Sequence, residues 1–325
     1  MKTIDDIQQS LAPELKKLNA HIAHSLTTSN PLMNSIIDNY LKTKGKQIRP
    51  LLILMAARMF GEINDNTISS AAAIEMLHNA TLIHDDVVDQ TQTRRSNPTI
   101  NAMWDNHMAV LVGDFFVSTS LATAIETGNA TVVSILARLG QELSLGEVDQ
   151  IDKARTHTLS EDAYMAIIAS KTASLFEACV EIGALSVHAS ADHTRSLMQF
   201  ARRLGLCFQI RDDIFDYFDD AAEIGKPTGN DLREGKITLP LLYTLTADNM
   251  PGRQEMLEIA SKENLSDSDI AQLVCYARDN GGIDYAYNRM RQLRDEAMDI
   301  LLTFPPSEMR DAFATMIDYV IARAN

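Results

Sequence analysis

His78-Asn-Ala-Thr-Leu-Ile-His-Asp85-Asp86-Val-Val-Asp89-Gln-Thr-Gln-Thr-Arg94-Arg95 is the stretch on which the reading of this chain turns. An apolar helical pattern from Ala71 to Ile83 runs straight into its three aspartates. At about 100° per residue, Asp85 and Asp89 share one helix face with His78 and Leu82. Two carboxylates at i and i+4 make a claw for a hard divalent cation, which takes oxygen ligands. A helix C-terminus disfavours negative charge, so three aspartates there call for a compensating cation. Arg94 and Arg95 follow, and guanidinium forks match phosphate oxygens. Alone, the motif reads more readily as a solvated helix end.

It does not stand alone. Gln209-Ile-Arg-Asp212-Asp213-Ile-Phe-Asp216 repeats the spacing at the end of a second apolar helical run. Two claws facing one cavity would bring up to six carboxylates together, and that charge requires several metal ions. The guest that fits such a cavity is a polyphosphate bound through a magnesium cluster.

The net charge of −15 argues against nonspecific nucleic-acid binding. It also looks wrong for an enzyme of anionic substrates, unless the acidic residues bind the cations that bind the phosphates. The hydrophobic fraction of 46% supplies a core, and its richness in Ala, Leu, Ile and Met with few aromatics points to helices. Cys179, Cys207 and Cys275 lie in apolar helical runs without metal spacing, so all three are expected to be reduced core residues of a cytoplasmic protein. The start shows no signal-peptide pattern and no uncharged run reaches 18 residues, so a soluble protein is expected.

Helical periodicity covers nearly the whole chain, with no sustained strand alternation. It predicts helices near 3–26, 31–43, 48–60, 66–90, 99–126, 129–151, 160–187, 191–218, 236–248, 251–262, 267–279, 281–303 and 307–323. Residues 1–325 are expected to form one all-α domain, a helical bundle around a central cavity, with a weakly attached N-terminal helix. Pro240 falls inside a helical pattern and marks either a kink or a first turn. Three further polar features stand out. Lys44, Gly45, Lys46 and Arg49 cluster before a helix at Pro50, an anion site or an ordinary basic loop. Lys171-Thr172 lies among Ala, Ser, Leu and Phe, where the lysine either snorkels to the surface or binds an anion. Gly225–Lys236 is the longest Gly-rich polar stretch, a surface loop or a mobile cover carrying two lysines.

Taken in order, Lys44–Pro50, His78–Arg95, Gly146-Glu-Val-Asp-Gln150, Lys171-Thr172, Gly205–Asp216 and Gly225–Lys236 resemble the trans-type polyprenyl diphosphate synthases, particularly their long-chain, octaprenyl-like branch. The first motif departs from the family's usual Gly-Gly-Lys by placing Lys44 at the first Gly position, while Lys46 and Arg49 remain. The resemblance implies an isoprenoid-synthase fold and condensation of isopentenyl diphosphate with an allylic diphosphate. It assigns isopentenyl diphosphate to Lys46, Arg49, His78 and Arg95. The allylic diphosphate falls to Arg94, Lys171, Thr172, Gln209, Lys226 and Lys236. Asp85, Asp89, Asp212, Asp216 and Asp231 would hold about three Mg²⁺. Oxygens of Lys171, Thr172 and Gln209 would face the developing carbocation as its catalytic residues, since an amide oxygen stabilises positive charge without being a strong base. A homodimer, a product destined for a quinone side chain and a peripheral membrane association for product release are also implied.

Ala80 and Thr81 bear on chain length. Five residues are about 7–8 Å of helix, so a hydrocarbon tail running down from Asp85 would pass both. Bulky residues there go with short products in the resembled family, and small ones with products of about C30 to C50, longer than one such span of helix. Two rivals remain. A terpene cyclase would not need Lys46, Arg49, His78 and Arg95, and a non-catalytic partner subunit would be expected to lose aspartates that this chain keeps.

Overall fold

Helix boundaries follow capping chemistry written into the sequence. The computed structural model describes residues 3–42, 45, 47–94, 97–156, 158–218, 228–262 and 264–322. Its helices are α1 (Ile4–Ser10), α2 (Ala12–Ser25), α3 (Pro31–Lys42), α4 (Ile48–Phe60), α5 (Asp65–Val88), α6 (Ile100–Met103), α7 (Asn106–Glu126), α8 (Ala130–Arg155), α9 (Glu161–Ile168), α10 (Ser174–Ser186), α11 (Ala191–Phe215), α12 (Asn230–Arg233), α13 (Leu239–Thr246), α14 (Arg253–Ala260), α15 (Asp267–Asp279), α16 (Gly282–Leu301) and α17 (Glu308–Ala322). Ala169–Ala173 form a π-helical turn between α9 and α10. The strands are β1 (Thr93–Arg94) and β2 (Asn97–Pro98), a two-residue antiparallel pair. The described chain is thus all-α, as its periodicity predicts.

Asn64 caps α5 reciprocally with Thr67, and Ser266 caps α15 with Asp269. Asp105 accepts from the Met108 N–H and starts a new helix, which splits the predicted 99–126 segment into α6 and α7. Pro240 occupies the first turn of α13, where its missing N–H costs nothing.

The N-terminal segment departs from expectation twice. It breaks at Leu11, whose ψ of 11° leaves the regular helix two residues before Pro13. It is also firmly packed rather than weakly attached. Leu11, Leu18 and Leu26 are fully buried, which contributes roughly 1.5–3 kcal/mol each. Arg58 pairs with Glu14 at 2.6 Å, and the Asn19 and Gln47 amides exchange hydrogen bonds of 2.8 and 3.3 Å. The second contact anchors the left-handed Gln47 (φ 49°) that leads into α4 and Arg49.

The chain divides into two compact units. One comprises Met1–Gly140, Phe176–Met198 and Phe304–Thr315, the other Gln141–Leu175, Gln199–Thr303 and Met316–Asn325. In the first, α5 packs along α7, and the Ser120 hydroxyl donates to the Ala73 carbonyl at 2.7 Å. Leu51 through Ala57 are all fully buried on α4. Gly183 lets α10 approach that helix, because a Cβ there would lie 2.4 Å from the Ile53 carbonyl oxygen. The second unit centres on Tyr217, Leu241, Leu245, Leu273 and Ala277.

α7 is long and apolar enough, by length and composition, to cross a membrane, and 39% of that window is buried. Asp114 interrupts it, and one side packs on α5, while Val110, Leu111, Leu121 and Ile125 are exposed. Cys179 and Cys207 are buried as expected, and burial pushes both thiols up, Cys207 to about 12. Cys275 is exposed, contrary to expectation, because α15 turns Leu273, Val274, Tyr276 and Ala277 inward and Cys275 outward.

Candidate active site

In the first unit, α5 carries His78, Ala80, Thr81 and the first aspartate triplet to its C-terminal end. The three carboxylates are not equivalent. Asp86 is buried, whereas Asp85 and Asp89 are half-buried. Arg94 places its Nε and Nη2 on one Asp86 oxygen at 2.9 and 2.7 Å. Burial would lower the Arg94 pKa, but the hydrogen bond and charge of Asp86 outweigh it and the guanidinium is held more firmly protonated. The chain between them is pinned by Asn101, whose amide donates to the Asp86 and Thr91 carbonyls at 3.2 and 3.1 Å. The central aspartate is thus committed to fixing Arg94.

His84, beside Asp85, fits against α7 only because residue 113 is glycine, where a Cβ would sit 2.2 Å from the imidazole. Its Nε2 lies 3.3 Å from the Val110 carbonyl and 3.5 Å from Asp114. His78 is buried one face-repeat earlier on α5, and Arg49, at the second position of α4, lies over the Phe176 ring at 6.0 Å. Ala80 is fully buried, together with Met76 and Phe116. Thr81 is half-buried and donates its hydroxyl to the His78 carbonyl at 2.8 Å, so its polar end is spent on its own helix. Lys46, Arg95 and Lys226 lie outside the described residues.

The second unit also buries the central member of its triplet. Asp213, the central member, is buried and accepts from the Tyr164 hydroxyl at 2.5 Å and from the Gln209 amide at 2.8 Å. Burial raises its pKa to about 6, opposed by those two hydrogen bonds. Asp212 is exposed and takes two bonds from Arg211, which is buried 4.5 Å over Phe208 and 5.7 Å from the Phe215 centroid. Asp216 accepts the Asn230 and Asp231 N–H groups on its two oxygens, both at 2.9 Å. Left-handed Gly229 (φ 74°) aims those groups, and a Cβ there would fall 2.4 Å from Ile270. Asp231 is thereby brought beside Asp216. Burial, then the charges of Asp213 and Asp216, raise its carboxyl pKa well above the usual range, and Lys236 only partly offsets them.

Lys171 stands on the π turn and is paired with Glu147, with Gln150 accepting at 2.8 Å. Gly146 makes this possible by letting α8 touch the turn, since a Cβ would be 3.2 Å from the Lys171 nitrogen. Thr172 donates to the Gln209 carbonyl oxygen at 2.6 Å. Lys236 pairs with Glu234, and its N–H donates to the Asp231 carbonyl at 2.8 Å.

The polyprenyl synthetase family model matches residues 30–277. The chain belongs to that family. It is 33% identical over 316 residues to the octaprenyl diphosphate synthase of Haemophilus influenzae, covering 97% of this chain and 96% of the relative. A polyprenyl synthase from Caulobacter crescentus, solved in complex with calcium and isoprenyl diphosphate, superposes with a TM-score of 0.92 at 32% identity over 99% of this chain and 98% of that one. A geranylgeranyl pyrophosphate synthase from Bacteroides thetaiotaomicron gives 0.83 at 36% identity, covering 98% of each chain. This polyprenyl synthetase is therefore a prenyltransferase of all-α fold.

The residues present fit divalent cations. Among the described residues no three His, Cys, Asp or Glu side chains converge into a closed metal cage. Magnesium does not require one: it retains water and substrate phosphate oxygens and takes one or two carboxylates from the protein. Burial is the largest cause of the raised Asp231 pKa, and the Asp213 and Asp216 charges that add to it are the part a cation would relieve.

Several contributors lie outside the expected set. Glu147, Gln150, Arg211 and Tyr164 have no sequence-level assignment, although the first two fall in the Gly146–Gln150 motif. Arg94, Lys171 and Lys236, expected on phosphate, are each held by a carboxylate of their own unit. The Arg94–Asp86 pair should be structural as well as functional. Arg94→Ala leaves the buried Asp86 charge uncompensated and is expected to destabilise the protein by roughly 2–4 kcal/mol in denaturant unfolding. A change below about 0.5 kcal/mol, typical of a surface position, would show that Asp86 does not depend on Arg94.

Proposed function

We propose that this polyprenyl synthetase is an all-trans polyprenyl diphosphate synthase that condenses isopentenyl diphosphate with an allylic diphosphate, farnesyl or geranylgeranyl, releasing pyrophosphate. The observation that carries the reading is the duplicated triplet, whose central carboxylate is buried and tied into the fold both times. Asp85, Asp89, Asp212, Asp216 and Asp231 hold about three Mg²⁺. When bound, these ions neutralise charge on the departing diphosphate. Arg94, Lys171, Lys226 and Lys236 bind its oxygens. For Arg94, Lys171 and Lys236 this means sharing or exchanging the pairs with Asp86, Glu147 and Glu234.

As the allylic C–O bond breaks, Thr172 and Gln209 present oxygen dipoles to the developing cation, and neither is basic enough to take a proton early. Lys46, Arg49, His78 and Arg95 hold isopentenyl diphosphate, whose double bond attacks the allylic carbon. The released pyrophosphate accepts the proton lost from the new cation. Small Ala80 and inward-bonded Thr81 leave room for the tail along α5, and the product is about C30 to C50, longer than the roughly 7–8 Å of helix above them. Such a chain serves as a quinone side chain, made in the cytoplasm and released at a membrane surface. The exposed apolar side of α7 supports a homodimer.

Incubation of the purified chain with farnesyl diphosphate, labelled isopentenyl diphosphate and Mg²⁺ tests the reaction. A ladder ending at a long all-trans product is expected, and a cyclised hydrocarbon or no product would refute it. Asp85→Ala and Asp212→Ala should each cut turnover by about a thousandfold or more, and near-normal turnover in either would make that triplet structural. Ala80→Phe should shorten the product, to about C15–C20 by the family resemblance, because a bulky side chain about 7–8 Å of helix from Asp85 would block the tail. An unchanged product would route the tail along another helix. Sedimentation addresses the dimer: Leu111→Glu with Ile125→Glu should convert it to a monomer, and an unchanged dimer would place the interface elsewhere.

A further inference from the structure

The π turn solves a register problem, and its solution assigns a role to Tyr164. Tyr164 and Thr172 are eight residues apart. In an uninterrupted α-helix that separation turns their side chains about 80° from one another. A π turn absorbs one additional residue, which reduces the offset to about 20°. Both side chains consequently reach the same helix, α11, at positions four apart: Thr172 to Gln209 and Tyr164 to Asp213. Gln209 bonds to Asp213 along α11 and closes the line Tyr164–Asp213–Gln209–Thr172.

The direction of every bond in that line is determined. Asp213 as a carboxylate only accepts, so Gln209 turns its NH₂ towards it and its carbonyl oxygen towards Thr172. The single Thr172 proton then goes to Gln209, leaving the hydroxyl lone pairs and the second lone pair of the Gln209 oxygen unspent. Tyr164 anchors the far end by donating to the other Asp213 oxygen, which fixes the plane of the carboxylate. If the phenol is removed, the carboxylate is free to rotate and the amide is free to turn an N–H outward, reversing the dipole.

We propose that Tyr164 is a positioning residue for prenyl transfer: through Asp213 it locks the Gln209 amide and the Thr172 hydroxyl with their oxygens presented to the allylic cation. This rests on the reading that Thr172 and Gln209 face that cation.

Single-turnover rates of Tyr164→Phe, Thr172→Val and the double variant, at saturating substrates and Mg²⁺, decide the matter. Tyr164→Phe is expected to slow the chemical step about tenfold. It should leave each KM and the half-saturating Mg²⁺ within about twofold, as for an interaction made only in the transition state. In the Thr172→Val background it should cost less than about twofold more, because both changes break one line. A full further tenfold loss in the double variant, or a loss carried by KM or by Mg²⁺, overturns the proposal. A wild-type rate in Thr172→Val overturns it together with the assignment of Thr172 to the cation, whereas a slow Thr172→Val with additive Tyr164→Phe overturns the role of Tyr164 alone. Should Tyr164→Phe fail to fold, Asp213→Asn frees the Gln209 amide and is judged by the same rate, KM and Mg²⁺ criteria.

Discussion

Placing three carboxylates at the C-terminal end of a helix is the electrostatic constraint on which the rest of the site depends. The helix dipole and mutual repulsion both oppose it. This chain meets the constraint twice by the same means, giving each triplet's central member to the fold. Asp86 is buried on Arg94, and Asp213 is buried on Tyr164 and Gln209. Each buried carboxylate then has donors that offset its desolvation. The flanking aspartates are half-buried or exposed. The middle residue of each triplet is thereby turned inward, while the outer pair lies nearer solvent.

The positive groups are handled in a complementary way. Arg94, Lys171 and Lys236 are each restrained by Asp86, Glu147 or Glu234. A chain with net charge −15 thus keeps these three cationic side chains paired and in place. A diphosphate arriving with its own divalent ions brings both signs of charge, and it can exchange these pairs without leaving a carboxylate bare. A bare anion offers no such compensation.

Much of this was legible in the sequence. Helical periodicity placed most outer helix boundaries to within a few residues, because caps such as Asn64 and Ser266 stand where the apolar pattern begins, but it missed the breaks at Leu11 and Asp105. The aspartate spacing marked the face that each triplet's outer pair shares, since i and i+4 positions are a local property of the helix. The missing part is non-local. Nothing in the spacing of Tyr164 and Thr172 announces a shared face, because a regular helix would separate them, and only the π turn aligns them. Likewise, the pairing of Lys171 with Glu147 requires α8 to touch that turn over Gly146. The firm packing of the N-terminal helices depends on Asn19 meeting Gln47 and Glu14 meeting Arg58, contacts between distant residues that periodicity does not encode.

The division of labour within a triplet is the central claim, and the Mg²⁺ dependence of turnover in Asp85→Asn and Asp86→Asn tests it most directly. If the outer carboxylate binds metal and the central one fixes Arg94, Asp85→Asn should raise the half-saturating Mg²⁺ about tenfold or more. Asp86→Asn should leave it within about twofold while lowering thermal stability, since it weakens only a buried pair. An equal rise in half-saturating Mg²⁺ for both variants would contradict the account.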